Sequence, residues 1–179
     1  MSNPAILLIG KSGTGKTTLA EYLRTAYCMQ PLDSYTTRPK RNKNEMGHTF
    51  VTVEEFDKLK DKIAYTYYCN NHYCATKEQF NNSDIYVIDP KGLEYLKIYK
   101  EKNPDLKSFK VVVLDTPWWI RAKRMMGRGD KIAKIIKRLF ADHHEFVNIK
   151  KQADLILDGR LFVETNAYKL YLFWKGAAN

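Results

Sequence analysis

Apolar positions arrive along this chain in short continuous runs, separated by longer stretches of helical period. AILLIG (5–10), DIYVID (84–89), KVVVLD (110–115) and ADLILDG (153–159) are the runs. They are short and rich in Val, Ile and Leu, the pattern of strands buried on both faces. Between them, TTLAEYLRTAY (17–27), KGLEYLKIYKEK (91–102) and TPWWIRAKRMM (116–126) carry apolar residues at helical spacing. Pro117 suits a first helical turn. This alternation predicts an α/β fold with a doubly wound parallel sheet. KIAKIIKRLFADHHEF (131–146) places positions 132, 135, 136, 139, 140, 143 and 146 on one stripe. Lys131, Lys134, Lys137 and Arg138 lie largely away from that stripe, so the stripe is expected to be the buried face. The tail, LFVETNAYKLYLFWKG (161–176), predicts a closing helix docked on the sheet, its aromatics serving as core and not as a cofactor box.

Residues 33–76 break this rhythm. They are rich in Thr, Tyr, Asn and basic side chains, and HTFVTV (48–53) alternates like an exposed strand. They read as a small inserted subdomain. Within them, AYTYYCNNHYCAT (64–76) brings Cys69, His72 and Cys74 together. That trio has no convincing fourth metal ligand unless His48 folds back, so packing is the expected role. Asn70 and Asn71 read either as residues of a tight turn or as amides able to pair with a base edge.

Composition narrows the class. At 179 residues, 44% hydrophobic and 13% aromatic, the chain suits one folded domain and excludes a disordered one. No apolar run approaches bilayer length, and MSNPAILLIGKSG reads as a strand leading into a loop and not as a signal peptide. Cys28, Cys69 and Cys74 have no framework spacing, which makes a reducing cytoplasm the simplest setting. The formal net charge of +10 asks for an anionic partner or a solvated basic surface. No nucleic-acid-binding motif accompanies the basic helix.

The charge gains a use at GKSGTGKT (10–17), which fits the P-loop pattern and falls between a predicted strand and a predicted helix. Glycines let the backbone curl around phosphate oxygens, and the helix N-terminus adds partial positive charge. Gly10, Ser12, Gly13, Thr14, Gly15, Lys16, Thr17 and Thr18 are the expected ATP-binding residues. Lys16 would reach the β- and γ-phosphates and the Thr17 hydroxyl would take Mg²⁺. A second basic cluster, SYTTRPKR (34–41), crowds Arg38, Lys40 and Arg41 beside hydroxyls. Beside a P-loop it suggests a second phosphorylated substrate.

These motifs together resemble the guanylate kinase family, over most of the chain from the P-loop to about residue 158. SYTTRPKR resembles the family's Ser-x-Thr-Thr-Arg-x-x-Arg signature, the most specific match. GHTFVTVEEF (47–56), NHYCAT (71–76), VIDPKG (87–92) and RGD…KRL (128–139) are similar to the segments that follow in the family. The resemblance implies a P-loop core (1–32, 77–126 and 147–179), an inserted NMP-binding subdomain (33–76) and a small lid (127–146). It implies transfer of the ATP γ-phosphoryl group, with Mg²⁺, to a nucleoside monophosphate, GMP or dGMP first. On it, Ser34, Arg38, Arg41, His48, Tyr73, Thr76 and Asp89 would hold the acceptor. Lys16, Arg38, Asp89, Arg128 and Arg138 would serve the transfer. The chain departs from the family where a glutamate reads guanine: no acid stands between Asp61 and Glu78, and Thr66 or Tyr67 falls near that place. An altered or relaxed base preference is therefore expected. Guanylate-kinase-like domains that only bind protein partners are the alternative class, although the P-loop here is intact.

Overall fold

The computed structural model describes residues 3–40, 43, 45–68 and 70–176. In chain order its strands are β1 (Ala5–Ile9), β2 (Ser34–Thr36), β3 (His48–Phe50), β4 (Lys62–Tyr68), β5 (Asn71–Thr76), β6 (Ile85–Val87), β7 (Phe109–Asp115) and β8 (Leu155–Asp158). The helices are α1 (Lys16–Tyr27), α2 (Val53–Lys58), α3 (Lys77–Asn81), α4 (Pro90–Lys102), α5 (Trp118–Gly127), α6 (Ile132–Glu145) and α7 (Val163–Lys175).

The four apolar runs form one parallel sheet in the order β6-β1-β7-β8. Leu8 of β1 lies between Val87 and Val112. Because side chains alternate along a strand, β1 feeds two cores. Ile6 and Leu8 pack with Leu19 and Leu23 of α1 and Leu170 of α7. Leu7 and Ile9 pack with Phe80, Leu93, Leu96 and Phe146 on the other face. Helices on both faces are what continuous apolar strands require, since neither face tolerates water. The closing helix docks as expected: Tyr171, Phe173 and Trp174 pack against the core that contains Ile6 and Leu8.

Residues 34–76 carry a second sheet, ordered β3-β2-β5-β4 and mostly antiparallel. It joins the first where Pro31 bridges Ile85 and Leu32 N–H donates to the Ile85 carbonyl. HTFVTV does not stay extended. The strand ends at Phe50 and Thr52 starts α2 through a capping box with Glu55, whose local hydrogen bonds outweigh the alternation. Cys74 is fully buried, and burial pushes its thiol up to about 11. His72 accepts or donates at Nδ1 to the Tyr65 hydroxyl, 2.9 Å away, among Phe56, Tyr65 and Tyr67. Cys69 lies outside the described residues. Pro117 caps α5 and does not enter its first turn.

The stripe on α6 is the main correction. Ile132 and Phe140, expected to be buried, are 70% and 68% exposed, and Ile136 is exposed as well. The buried side carries Ile135 and Asp142, with Arg138, Leu139 and Glu145 half-buried. Amphipathicity predicts the inward face only when the helix covers an apolar core. This helix covers a polar cavity. Among the described residues no helix is long and apolar enough to cross a membrane.

Candidate active site

The cavity begins at the turn after β1. The chain leaves Ile9 and must enter α1 within a few residues, which takes a tight curl of the backbone. Gly13 and Gly15 do this at φ 79° and 101°. At Gly13 a Cβ would also sit 2.9 Å from the Arg121 carbonyl oxygen, so only glycine fits. Inside the curl, Lys16 Nζ donates to the carbonyls of Gly10 (2.5 Å) and Lys11 (3.1 Å). Burial lowers its pKa to about 8; Asp142 pulls the other way, and Arg121 and Arg128 depress it further.

The P-loop is braced by groups that the sequence reading passed over. Ser12 N–H donates to Asp142 Oδ2 (2.9 Å) and Ser12 Oγ–H to Asp142 Oδ1 (3.3 Å). Arg121 donates to the same carboxylate at 2.6 Å, making a buried ion pair between α5 and α6. Arg124 donates to the Thr14 carbonyl (2.7 Å) and the Gly159 carbonyl (2.9 Å), tying the P-loop to the turn after β8. The available signal was the spacing of Arg121 and Arg124 on one face of α5. Nothing local marks Asp142, which stands between an alanine and a histidine.

One cavity of about 690 Å³ collects most of the predicted residues. Gly10, Ser12, Gly13, Thr14, Gly15, Lys16, Thr17 and Thr18 line it, as do Ser34, His48, Tyr73, Asp89, Arg128 and Arg138. Asp89 caps α4, accepting from Gly92 N–H at 2.7 Å, with Pro90 next as the first helical residue. Ser34 Oγ and His48 Nδ1 share a hydrogen bond of 2.9 Å across β2 and β3. Thr66 and Tyr67, from the segment that lacks the expected acid, are in the wall as well. Glu145 was not anticipated there. Burial raises its pKa first, and repulsion from Asp89 adds to this.

Other predicted residues are placed differently. Thr76 is not in the cavity wall. Its hydroxyl caps α3 by accepting from Gln79 N–H. Arg38 is not in the wall either. Its guanidinium forks onto Glu45 (2.7 and 3.2 Å), with both side chains about 11% exposed, and Phe50 lies 5.4 Å beneath it. Arg41 lies outside the described residues. Arg128 and Arg138 converge, but on a shared carboxylate: Asp130 Oδ2 accepts from Arg128 at 2.5 and 2.8 Å and from Arg138 at 3.4 Å. Burial would raise the Asp130 pKa, yet the arginines outweigh it and hold the carboxyl below its ordinary value.

No protein-family model matches the chain, and no curated protein matches it in sequence. Solved structures do match in shape. A guanylate kinase from Anaplasma phagocytophilum superposes with a TM-score of 0.64 at 17% identity, over 98% of this chain and 87% of that one. A sugar kinase from Janibacter sp. superposes with a TM-score of 0.53 at 17% identity, over 99% of this chain and 96% of that one. At such identity the likeness speaks for the fold. The chain has an α/β P-loop fold of the kind seen in these kinases, with a parallel sheet flanked by helices and a phosphate loop after its first strand.

Proposed function

We propose that this chain is an ATP-dependent nucleoside monophosphate kinase, with GMP or dGMP the first acceptor to test. The observation that carries the reading is the shared cavity: the P-loop, two arginines of the 127–146 segment and the hydroxyl and aromatic residues of the second sheet all face one volume. ATP and a nucleoside monophosphate, with four phosphates between them, need such a meeting place. Phosphoryl transfer asks a protein chiefly to align two anions and neutralise the spreading charge.

In this reading residues 33–76 hold the acceptor and residues 127–146 act as a lid over the core. An acceptor phosphate oxygen attacks the γ-phosphorus of ATP, the bond to the β–γ bridging oxygen breaks, and ADP leaves. Lys16 offsets charge on the β- and γ-phosphates, and Arg128 and Arg138 leave Asp130 to cover the transferring group. Arg38, with Arg41, grips the acceptor phosphate after exchanging Glu45 for it. Tyr73 and Asp89 complete that end. The oxygen donors Thr17 and Asp89 suit Mg²⁺, a hard cation that keeps several waters and leans on substrate phosphates. Bound there, Mg²⁺ would supply further neutralisation of phosphate charge.

The acceptor-base end favours relaxed or altered base choice. Its wall offers Ser34, His48, Thr66, Tyr67 and Tyr73. Among the described residues no carboxylate from the second sheet lines the wall, so none of them matches guanine's paired N–H groups as an acid would. Coupled ADP release with GMP, dGMP, AMP, dAMP, CMP, UMP and dTMP tests both parts. Turnover of none sinks the kinase reading and favours a binding module. Strict guanine preference sinks the relaxed pocket.

A further inference from the structure

The order of strands gives the cavity two ends. The P-loop follows β1. On one side lies β6, to which the segment entering the second sheet is bonded at Pro31 and Leu32. On the other side, beyond β7, lies β8 and the turn that follows it. That second end is walled by Arg124, Gly159, Leu161, Val163 and Asn166. If the acceptor occupies the Ser34 end, as the kinase reading on which this inference rests requires, the donor's nucleoside is left the β8 end.

Asn166 is the unusual residue of that wall. It is only 3% exposed, in the first turns of α7. Its Nδ2 donates to the Asp158 carbonyl at 2.9 Å. A carbonyl oxygen can only accept, so this bond fixes the amide's orientation: flipping it would set oxygen against oxygen. Oδ1 is then left buried with no hydrogen-bond partner. Leu161 and Val163 beside it offer apolar surface and no side-chain donor. A buried acceptor without a partner is costly, and such exceptions call for a ligand or a function.

We propose that Asn166 Oδ1 reads the base of the phosphate donor, accepting a hydrogen bond from the exocyclic 6-amino group of adenine. Because the amide is locked, a 6-oxopurine at the same place would meet acceptor with acceptor and be rejected. Asn166 thereby selects ATP over GTP or ITP.

The test is kcat/KM for ATP, ITP and purine riboside triphosphate, which lacks any 6-substituent. Wild type should prefer ATP to purine riboside triphosphate by about tenfold and to ITP by on the order of 10²-fold or more. Asn166→Leu should bring the three within about threefold of one another, chiefly by raising the KM for ATP. If Asn166 merely anchors the Asp158 turn, the variant weakens all three donors equally and the ratios persist; that result overturns the assignment. Equal use of the three donors by wild type overturns it too, and needs no variant to fold. If no acceptor is phosphorylated at all, the kinase reading fails separately, and Kd values for the same three nucleotides decide the role of Asn166 by the same ordering.

Discussion

Lys16 and Arg38 are the two cations proposed above to meet phosphate, and the protein satisfies them differently. Lys16 is held by two backbone carbonyls, which are dipoles. Arg38 is held fork to fork by a carboxylate, and the arginines of the 127–146 segment share another, Asp130. Burial in a cradle of carbonyl dipoles destabilises the ammonium by more than nearby Asp142 offsets, so the Lys16 pKa falls to about 8. A cation paired with a carboxylate is already neutralised. Phosphate arriving at Lys16 therefore supplies missing charge, whereas phosphate arriving at Arg38 must displace an internal anion. On the proposed reading the P-loop is prepared for its ligand, whereas the second sheet and the 127–146 segment would exchange partners when theirs arrives.

The largest expected effect breaks the prepared side. Lys16→Ala should lower kcat by on the order of 10²–10³-fold or more while circular dichroism shows the fold intact; near-normal turnover would end the comparison. Next, Arg38→Ala should raise the KM for the acceptor by the equivalent of about 2–3 kcal/mol, with little change for ATP. A loss selective for ATP would mean that Arg38 serves the wrong substrate in this account.

A pH series sharpens the contrast. The free-state pKa of Lys16 near 8 should rise when phosphates bind, so binding takes up a proton above pH 8. Nucleotide affinity should then fall about tenfold per pH unit above 8. The same slope should persist in Arg38→Ala. Folding carries the opposite sign: between pH 8 and the ordinary lysine value of 10.5 the unfolded chain holds the extra proton, so stability contributed by this residue rises with pH across that window. Both slopes should vanish in Lys16→Ala, measured by nucleotide titration and by denaturant melts. The smallest effect should come from Asp130→Asn. Its partner Arg128 is half-exposed, so freeing the arginines should change kcat by no more than about threefold. A larger loss would show that Asp130 positions the arginines and does not merely store them.

What was legible in the sequence was whatever depends on neighbours along the chain. Short apolar runs between helical stretches dictated a parallel sheet covered on both faces, because a buried strand has no polar side to show. The spacing of Gly10, Gly15, Lys16 and Thr17 dictated a phosphate loop, because only that backbone curl turns its N–H groups inward. What depends on contacts across the chain was decided by the tertiary structure alone. Asp142 meets Ser12 from 130 residues away, Arg124 reaches Thr14 from 110, and neither pairing leaves a local trace. The buried face of α6 was legible only in part for the same reason: Ile135, Leu139 and Phe146 of the stripe turn inward, whereas Ile132, Ile136 and Phe140 are exposed. Periodicity reports how a helix is divided between polar and apolar sides, but the identity of its neighbour decides which side turns inward, and here that neighbour is a cavity lined with groups suited to charge.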